Sequence, residues 1–263
     1  MKQRSFSVFG NIAVVNFSNS LKWDLNSKKK FALEILKKNK AITTVLEKCG
    51  NFKGRLRKMN TRFLGGENTK EVLYKENGCV FRFNIDETYF SPRLSNERKE
   101  IASLIKKQEE VFVAFAGVGP FPIVIAKNSL AKKIYFNEIN RKANSYAKLN
   151  IELNKLKDKG EIVPGDFKKV ALKFQNEKKT FDVIVMPRPQ LKDSFLESAF
   201  KISKKGTRIY YYDFCGVDEI DSIVEKIKDE ALRAKKKIKI LKKKIAGEIA
   251  PYKVRVRIDF KLS

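Results

Sequence analysis

The chain has 263 residues, 43% of them hydrophobic, which allows one large domain or one domain with a smaller companion. Its 57 Lys and Arg residues against 30 Asp and Glu give a net charge of +27, which suits a polyanionic partner, although a lysine bias for solubility or thermal adaptation contributes too. Histidine is absent, and Cys49, Cys79 and Cys215 lack metal-ligand spacing. A zinc site and a Ser-His or Cys-His catalytic pair are therefore all but excluded, and we expect no metal.

A membrane segment is not expected either. The sequence contains no apolar run of about 18 residues, the length that suggests a membrane-spanning helix. The first residues, MKQRSFSVFG, lack the apolar centre of a signal peptide. These observations predict a cytosolic protein.

Residues 1–90 predict a small α+β domain. Two short strands are expected within 5–17 around Gly10-Asn11, followed by a helix that opens at Ser27. Strands are then expected over 55–63 and 71–83, the second broken by the hairpin signal Asn77-Gly78. A basic run leads into a flexible turn expected at Gly65-Gly66 and comprises Arg55, Arg57, Lys58 and Arg62. Taken alone, such a run is most often a solvated face.

Residues 91–110 predict a linker and a helix. The helix is expected over 97–107, with Ser95 or Asn96 as its N-cap. Glu97 in the first turn suits the positive end of the helix dipole. On local grounds alone, that structural role is the favoured interpretation of Glu97.

Residues 111–263 begin with the segment around which the chain is organised. A buried strand over 111–115 enters a turn with Gly117 and Gly119, a helix follows, and a strand over 134–136 ends at Glu138. Glycines allow a ligand to approach the backbone, and an acidic residue at that strand end is placed to accept ribose hydroxyls. Phe121-Pro122 follows where a third phosphate-binding glycine would stand. The pattern favours an adenosine ligand without phosphates, of which S-adenosylmethionine is the commonest, over a turn that binds nothing.

The remaining elements predict an α/β fold with the class I (Rossmann-like) methyltransferase sheet. Further strands are expected over 162–163, 181–186 and 207–214, with helices between them, and a final antiparallel pair over 237–244 and 252–260. Ligands of such sheets bind at the carboxyl ends of the strands. The residues expected there are Gly117, Glu138, Asp166 and Pro187.

Seven segments in order carry a family resemblance: YFSPRLSNER, FAGVGPFPI, NEIN, GDF, VIVMPRP, YYYDF and APYKVRVRIDF. They resemble FSPRLxxER, DMFAGVGPF, DINP, GD, MNLP, HYYDF and YAPxxYxxxxDF of the archaeal and eukaryotic tRNA (guanine-37, N1)-methyltransferases. GRLRKMNTRFLGGEN and YKENGCVFRFN are similar to the second domain of that family. The resemblance thus covers nearly the whole chain and implies a cytoplasmic monomer that binds the tRNA anticodon loop at guanine-37.

The resemblance also implies roles for individual residues. The S-adenosylmethionine site would comprise Phe115, Gly117, Val118, Gly119, Glu138, Asp166 and Pro187. Contacts to the target nucleotide would come from Arg93, Pro187 and Pro189. Glu97 would be the general base that removes the proton of guanine N1, and Arg57 would stabilise the charge that gathers on O6. The guanine would be flipped out of the loop for reaction.

Three departures from the family pattern stand out. Val113 occupies the position of the aspartate in DMFAGVG, and Pro187-Arg188-Pro189 replaces Asn-Leu-Pro. With proline at position 187, the motif resembles that of an archaeal subgroup that also methylates carbon 7 of the tricyclic wyosine precursor. A second methylation is therefore a possible activity. The family's N-terminal first domain has no counterpart, which predicts weaker dependence on tRNA tertiary structure.

Other functions stay open at this point. The aminocarboxypropyl transferase of wybutosine synthesis acts on the same nucleotide, but its sequences resemble FAGIGH and not FAGVGP. A tRNA-binding relative without catalysis is favoured a little by Val113 and Pro187, and opposed by Glu97, Glu138 and Asp166. In a methyltransferase that acts on proteins or small molecules, the net charge of +27 would have no evident role.

Overall fold

A computed structural model gives the architecture of the chain and describes residues 5–17, 23–50, 54, 56 and 58–263. Contacts between Cα atoms divide the chain into two compact units, Met1–Pro92 and Arg93–Ser263. Each unit has its own sheet and core, and each is described by itself. In the described residues, no helix has both the length and the apolar character needed to cross a membrane.

The first unit combines one helix with a four-stranded sheet and a separate hairpin. Its elements are β1 (Ser5–Phe9), β2 (Ile12–Asn16), α1 (Leu25–Lys38), β3 (Thr44–Lys48), β4 (Thr61–Gly66), β5 (Glu71–Glu76) and β6 (Cys79–Asn84). The sheet has the order β1-β2-β3-β4, and β5 pairs with β6. Ala32 and Ile35 of α1 pack against Val45 and Leu64 of the sheet to form the core.

Sequence patterns located most of these elements and misplaced two boundaries. Asn77 and Gly78 have φ of 49° and 71°, the left-handed pair that a tight hairpin requires. Helix α1 is capped by Asp24, whose Oδ1 accepts a hydrogen bond of 2.6 Å from the Ser27 amide, so Ser27 lies inside the helix. Strand β4 runs through Gly65-Gly66, which had suggested a turn. A Cβ on Gly66 would lie 2.1 Å from the Thr43 carbonyl oxygen, so this close backbone approach needs glycine.

The second unit alternates helices and strands. Its elements are α2 (Ser95–Leu104), β7 (Glu110–Val113), α3 (Pro120–Asn128), β8 (Lys133–Glu138), α4 (Arg141–Leu153), β9 (Gly160–Pro164), α5 (Phe167–Asn176), β10 (Phe181–Met186), α6 (Leu196–Lys201), β11 (Ser203–Gly216), α7 (Ile220–Arg233), β12 (Ile238–Ala250) and β13 (Lys253–Leu262). Short 3-10 turns, Pro92–Leu94 and Val217–Glu219, precede α2 and α7.

These strands form one seven-stranded sheet in the order β12-β13-β11-β10-β7-β8-β9. Strands β11, β10, β7, β8 and β9 are parallel, whereas β13 pairs antiparallel with β11 and with the edge strand β12. The predicted class I methyltransferase sheet with its antiparallel edge pair is confirmed. One face is covered by the apolar sides of α5, α6 and α7, which bury Phe174, Phe200 and Ile227.

Helix α2 begins two residues before the expected position. Its N-cap is Leu94, which makes no side-chain capping bond, so neither Ser95 nor Asn96 is the cap. The preceding 3-10 turn, Pro92–Leu94, feeds the chain directly into the helix. As a result, Glu97 still lies in the first turn of α2, and its side chain is buried.

Candidate active site

The carboxyl ends of the parallel strands β7 to β11 form one edge of the sheet, called the site rim here. Between β7 and α3, three residues adopt the left-handed backbone conformation: Phe115 at φ 56°, Gly117 at 56° and Gly119 at 92°. The Phe115 ring packs against Phe167 and Phe195, at centroid distances of 5.8 and 5.0 Å. Because a bulky residue at positive φ is strained, this aromatic packing fixes a turn that exposes its backbone to a ligand.

Gly119 is the N-cap of α3 and leaves no room for a side chain. A Cβ there would lie 2.9 Å from Ile123 Cδ1 and 3.3 Å from the Phe136 ring. The φ of 92° is itself disfavoured for any residue with a Cβ. Val118, between the two glycines, is fully buried. The first turn of α3 therefore presents backbone to the site rim, where the positive end of the helix lies.

Glu138 ends β8 and is joined to the glycine turn. Its Oε2 accepts a hydrogen bond of 2.9 Å from the Gly117 amide, and its Oε1 accepts one of 2.8 Å from the Asn140 amide. The structure thus brings together Gly117 and Glu138, which the sequence placed 21 residues apart.

Asp166 and Pro187 end the next two segments at the site rim. Asp166 caps α5, with its Oδ1 accepting a hydrogen bond of 2.9 Å from the Lys168 amide. The Gly165 amide donates to the Glu138 carbonyl oxygen at 2.9 Å, so Asp166 is held close to Glu138. Pro187 directly follows β10 and is half-buried. Val113, at the end of β7, is fully buried and pairs in register with Val185 and Phe136, so this wall of the site is apolar.

Arg188 has a structural function that the sequence did not reveal. The side chain is 3% exposed, and its Nη1 donates to the carbonyl oxygens of Leu191, Pro189 and Asp193 at 2.9, 3.2 and 3.2 Å. Its Nη2 forms an ion pair with the buried Asp213 of β11. Burial alone would lower the pKa of Arg188, but the hydrogen bond to Asp213 together with the charge interactions with Tyr211 and Asp213 raises that pKa. Arg188 therefore ties the loop after Pro187 to the sheet.

Glu97 lies at the centre of a buried polar cluster on the sheet. The Glu97 cluster comprises Glu97 and Glu100 of α2, Tyr212 of β11, Lys244 of β12, and Arg257 and Asp259 of β13. Glu97 is 4% exposed. Its Oε2 accepts hydrogen bonds from Arg257 Nη1 at 2.7 Å and Tyr212 Oη at 3.0 Å, and its Oε1 pairs with Lys244.

The register of the sheet places the Glu97 cluster beside the site rim. Met186 pairs with Tyr211, so Tyr212 and Pro187, the next residues on the two strands, lie at the same level. The Tyr212 ring also contacts Phe121 in the first turn of α3, with centroids 5.7 Å apart. Glu97 is thus within the same region of the second unit as the glycine turn and Pro187.

Two further expected residues lie elsewhere. Arg93 belongs to the 3-10 turn before α2 and is exposed, and Pro189 is half-buried in the loop that Arg188 holds. Arg57, the expected catalytic arginine, lies outside the described residues. No group of three or more Cys, Asp or Glu side chains within the described part of the chain has metal-binding geometry.

A model of the TRM5/TYW2 methyltransferase domain matches residues 72–241. The chain belongs to the TRM5/TYW2 methyltransferase family. The resemblance stated from the motifs is therefore confirmed, and this family member carries Glu97, Gly117, Gly119, Glu138, Asp166 and Pro187 within the matched segment.

Two relatives match this family member over 98% of its length at 32% identity. One is the tRNA (guanine(37)-N(1))-methyltransferase Trm5b of Pyrococcus abyssi, of which 75% is covered. The other is the tRNA (guanine(37)-N(1))/4-demethylwyosine(37)-methyltransferase Taw22 of Nanoarchaeum equitans, of which 99% is covered.

Solved structures agree with this assignment. The Methanocaldococcus jannaschii Trm5 structure in complex with adenosine has a TM-score of 0.81 and 30% identity, covering 98% of this chain and 74% of that one. The complex of aTrm5 with tRNALeu has a TM-score of 0.80 and 31% identity, covering 98% and 72%.

Sequence reasoning singled out Glu97 and missed the other five members of the Glu97 cluster: Glu100, Tyr212, Lys244, Arg257 and Asp259. One signal was available in β13, where Arg257 and Asp259 alternate with the apolar Val256 and Ile258. Charged residues on every second position of a strand indicate a polar contact on one face of the sheet. What they contact could not be read locally, because Glu97 lies 160 residues from Arg257 in the sequence.

Proposed function

We propose that this family member is an S-adenosylmethionine-dependent methyltransferase that modifies N1 of guanine-37 in tRNA. One observation carries the proposal beyond family membership. The glycine turn and Glu138 are hydrogen-bonded to each other at the site rim, and Glu97 lies at the same rim on the sheet. A cofactor site and a carboxylate able to accept a proton are thus adjacent in one unit.

The site residues fit the adenosine part of the cofactor. Gly117 and Gly119 hold the turn at positive φ, and Glu138 is tied to that turn through the Gly117 amide at 2.9 Å, a strand-end position suited to a carboxylate that binds ribose hydroxyls. Asp166, held near Glu138 through Gly165, is suited to the adenine amino group. We assign Phe115, Val118 and Pro187 to the walls of this site. The bound cofactor supplies an electrophilic methyl group.

The chain's own residues supply the base and the charge stabilisation. Guanine N1 becomes a good nucleophile as its proton leaves, and we assign Glu97 to accept that proton, a contribution of roughly 10² to 10⁴ in rate. Arg57 is assigned to stabilise the negative charge on O6, worth roughly 10² to 10³. Arg93, Pro187 and Pro189 are assigned to contact the target nucleotide.

The proposed partner is tRNA, bound through its anticodon loop, with the enzyme acting as a cytoplasmic monomer without a metal. The net charge of +27 supports a polyanionic partner. The aTrm5 structure similar to this chain was determined with tRNALeu.

Mass analysis of nucleosides tests the proposal. Purified protein is incubated with S-adenosylmethionine and an unmodified tRNA that carries guanine at position 37. The expected product is 1-methylguanosine at that position, and a tRNA with adenine at 37 is the control. No methyl gain on guanine-37, in protein that binds the cofactor by calorimetry, would contradict the proposal and favour the non-catalytic tRNA-binding alternative.

A second activity, methylation of carbon 7 in the tricyclic wyosine precursor, is favoured by a specific observation. Taw22, which is similar over 99% of its length, is named for both reactions, and this chain carries Pro187 where the family pattern has asparagine. The same assay with tRNA bearing 4-demethylwyosine should then show one methyl gain. A gain of an aminocarboxypropyl mass would instead identify the transferase of wybutosine synthesis.

A further inference from the structure

The two oxygens of Glu97 lie in different environments. Oε2 accepts two hydrogen bonds, from Arg257 Nη1 and Tyr212 Oη, and a carboxylate oxygen has two lone pairs. Oε1 pairs with one group, the Lys244 ammonium. Oε1 therefore has acceptor capacity that Oε2 lacks, which makes it the atom suited to receive a proton.

The partners of the two oxygens also differ in how deeply they are buried and in how many other bonds hold them. Arg257 and Tyr212 are fully buried, and Arg257 is fixed by further bonds to Asp259 at 2.8 Å and Glu100 at 2.7 Å. The Lys244 side chain is 30% exposed and lies on the edge strand β12. It bridges Glu97 and Glu100 as a flexible point charge. Lys244 is thus the partner that can move without disturbing the sheet.

We propose that Lys244 is a positioning residue that controls the basicity of Glu97, and that Oε1 is the atom that accepts the guanine N1 proton. This inference rests on the proposed function. In the free protein, the Lys244 ammonium pairs with Oε1. When guanine is bound, the N1–H bond would break and its proton would bind Oε1. The electron pair left on N1 would form the bond to the methyl carbon as the bond from that carbon to the sulfonium sulfur breaks, with the electrons of that bond staying on sulfur. The cation then has a reduced attraction to the neutral Glu97 and is retained by Glu100.

The charges around Glu97 support this division of labour. Burial raises the pKa of Tyr212 well above its ordinary value, so its hydroxyl stays a donor. Burial would lower the pKa of Lys244, but its bonds to Glu100 and Glu97 outweigh that effect and raise it. The other charged groups around the Glu97–Lys244 pair are Arg257, Glu100 and Asp259 of the cluster, and Lys242, whose ammonium contacts Glu100 at 3.4 Å. Lys244 is the cation whose removal changes Oε1 directly.

The test is the pH profile of methyl transfer in single turnover, with enzyme and cofactor saturating. In Lys244→Met and Lys244→Gln, the acid limb of the profile should move to higher pH by about one unit. An adjacent cation stabilises an ionised carboxylate, and these variants remove that cation. Lys244→Arg should retain the wild-type limb. Lys242→Met is the matched control, since Lys242 lies on the same strand and its ammonium contacts Glu100 at 3.4 Å, whereas Lys244 pairs with Glu97.

Three outcomes would overturn the inference. The acid limb could stay at the wild-type pH in both Lys244→Met and Lys244→Gln, or it could stay there in Lys244→Gln and move in Lys244→Met. The third is an acid limb that moves as far in Lys242→Met as in the Lys244 variants. The second would show that a hydrogen bond suffices without the charge. Calorimetry of S-adenosylmethionine binding, expected to stay near wild type, reports folding independently of activity, and the thermal midpoint measures the stability lost with the bonds of Lys244 to Glu97 and Glu100. If the wild type itself leaves guanine-37 unmethylated, the proposed function fails before the role of Lys244 is tested.

Discussion

Replacing Arg188 by leucine restores the residue type of the family motif and removes the cation that holds Asp213. Arg188 and Asp213 have side chains only 3% and 5% exposed, so the variant leaves a carboxylate buried without its ion pair. Tyr211 Oη, at 2.8 Å, remains as a donor to Asp213. Breaking a buried pair from one side typically costs about 3–5 kcal/mol, and we expect a loss of stability in that range for the Arg93–Ser263 unit.

The assay is urea unfolding at neutral pH, combined with hydrogen exchange of the segment 189–193. Arg188→Leu should unfold at lower urea, and amides of that segment should exchange faster, since three carbonyl contacts to Nη1 are lost. Arg188→Leu/Asp213→Asn should recover at least half of the lost stability.

A loss below about 1 kcal/mol, typical of an exposed ion pair, would refute this reasoning. The same conclusion would follow if the double variant were no more stable than Arg188→Leu. Arg188→Lys is the control that keeps the charge and loses the planar fork of donors, and its stability should fall between those of wild type and leucine variant.

Three more predictions follow from the same structure. Gly119→Ala should weaken S-adenosylmethionine binding at least tenfold by calorimetry, because φ is 92° and the new Cβ would lie 2.9 Å from Ile123; wild-type affinity would contradict the assigned turn. Arg57→Ala should lower the single-turnover rate by roughly 10² to 10³ while cofactor affinity is retained, and an unchanged rate would remove Arg57 from the chemistry. Burial would raise the pKa of Glu100, but its bonds to Lys244 and Arg257 lower it to about 2, below the ordinary value of 4.5. Glu100 therefore stabilises the fold above about pH 4.5, and this contribution, at most about 3 kcal/mol, is lost as the pH falls toward 2. Glu100→Gln should lower the stability measured by urea unfolding at neutral pH by up to that amount, and its deficit relative to wild type should shrink as the pH falls toward 2; equal stability of the two proteins at neutral pH would contradict the assignment.

Local patterns were sufficient for the elements whose signals lie within a few residues. A nearly continuous apolar run located β10 over 181–186, and Asn77-Gly78 located the β5–β6 hairpin. The bounds of α2 and β4 were wrong because the structures before and around them determine those ends: a 3-10 turn precedes Ser95, and Thr43 requires the close approach of Gly66.

Candidate site residues were assigned from the sequence, but their local structural roles were only partly accessible. Phe115 was assigned to the cofactor site, and its ring in fact packs against Phe167 and Phe195 while its backbone forms the turn. Arg188 appeared as a departure from a motif, and only the folded chain shows the buried pair with Asp213.

The sequence by itself determined the class of fold, the family and the positions of the glycine turn and the strand-end acids, because each depends on residue types at short fixed spacings. The tertiary structure alone decided what surrounds Glu97, since Tyr212, Lys244 and Arg257 come from three strands that lie 115 to 160 residues away in the chain. Contacts of that separation follow from sheet order and register, which place those residues beside α2, and no local pattern encodes them.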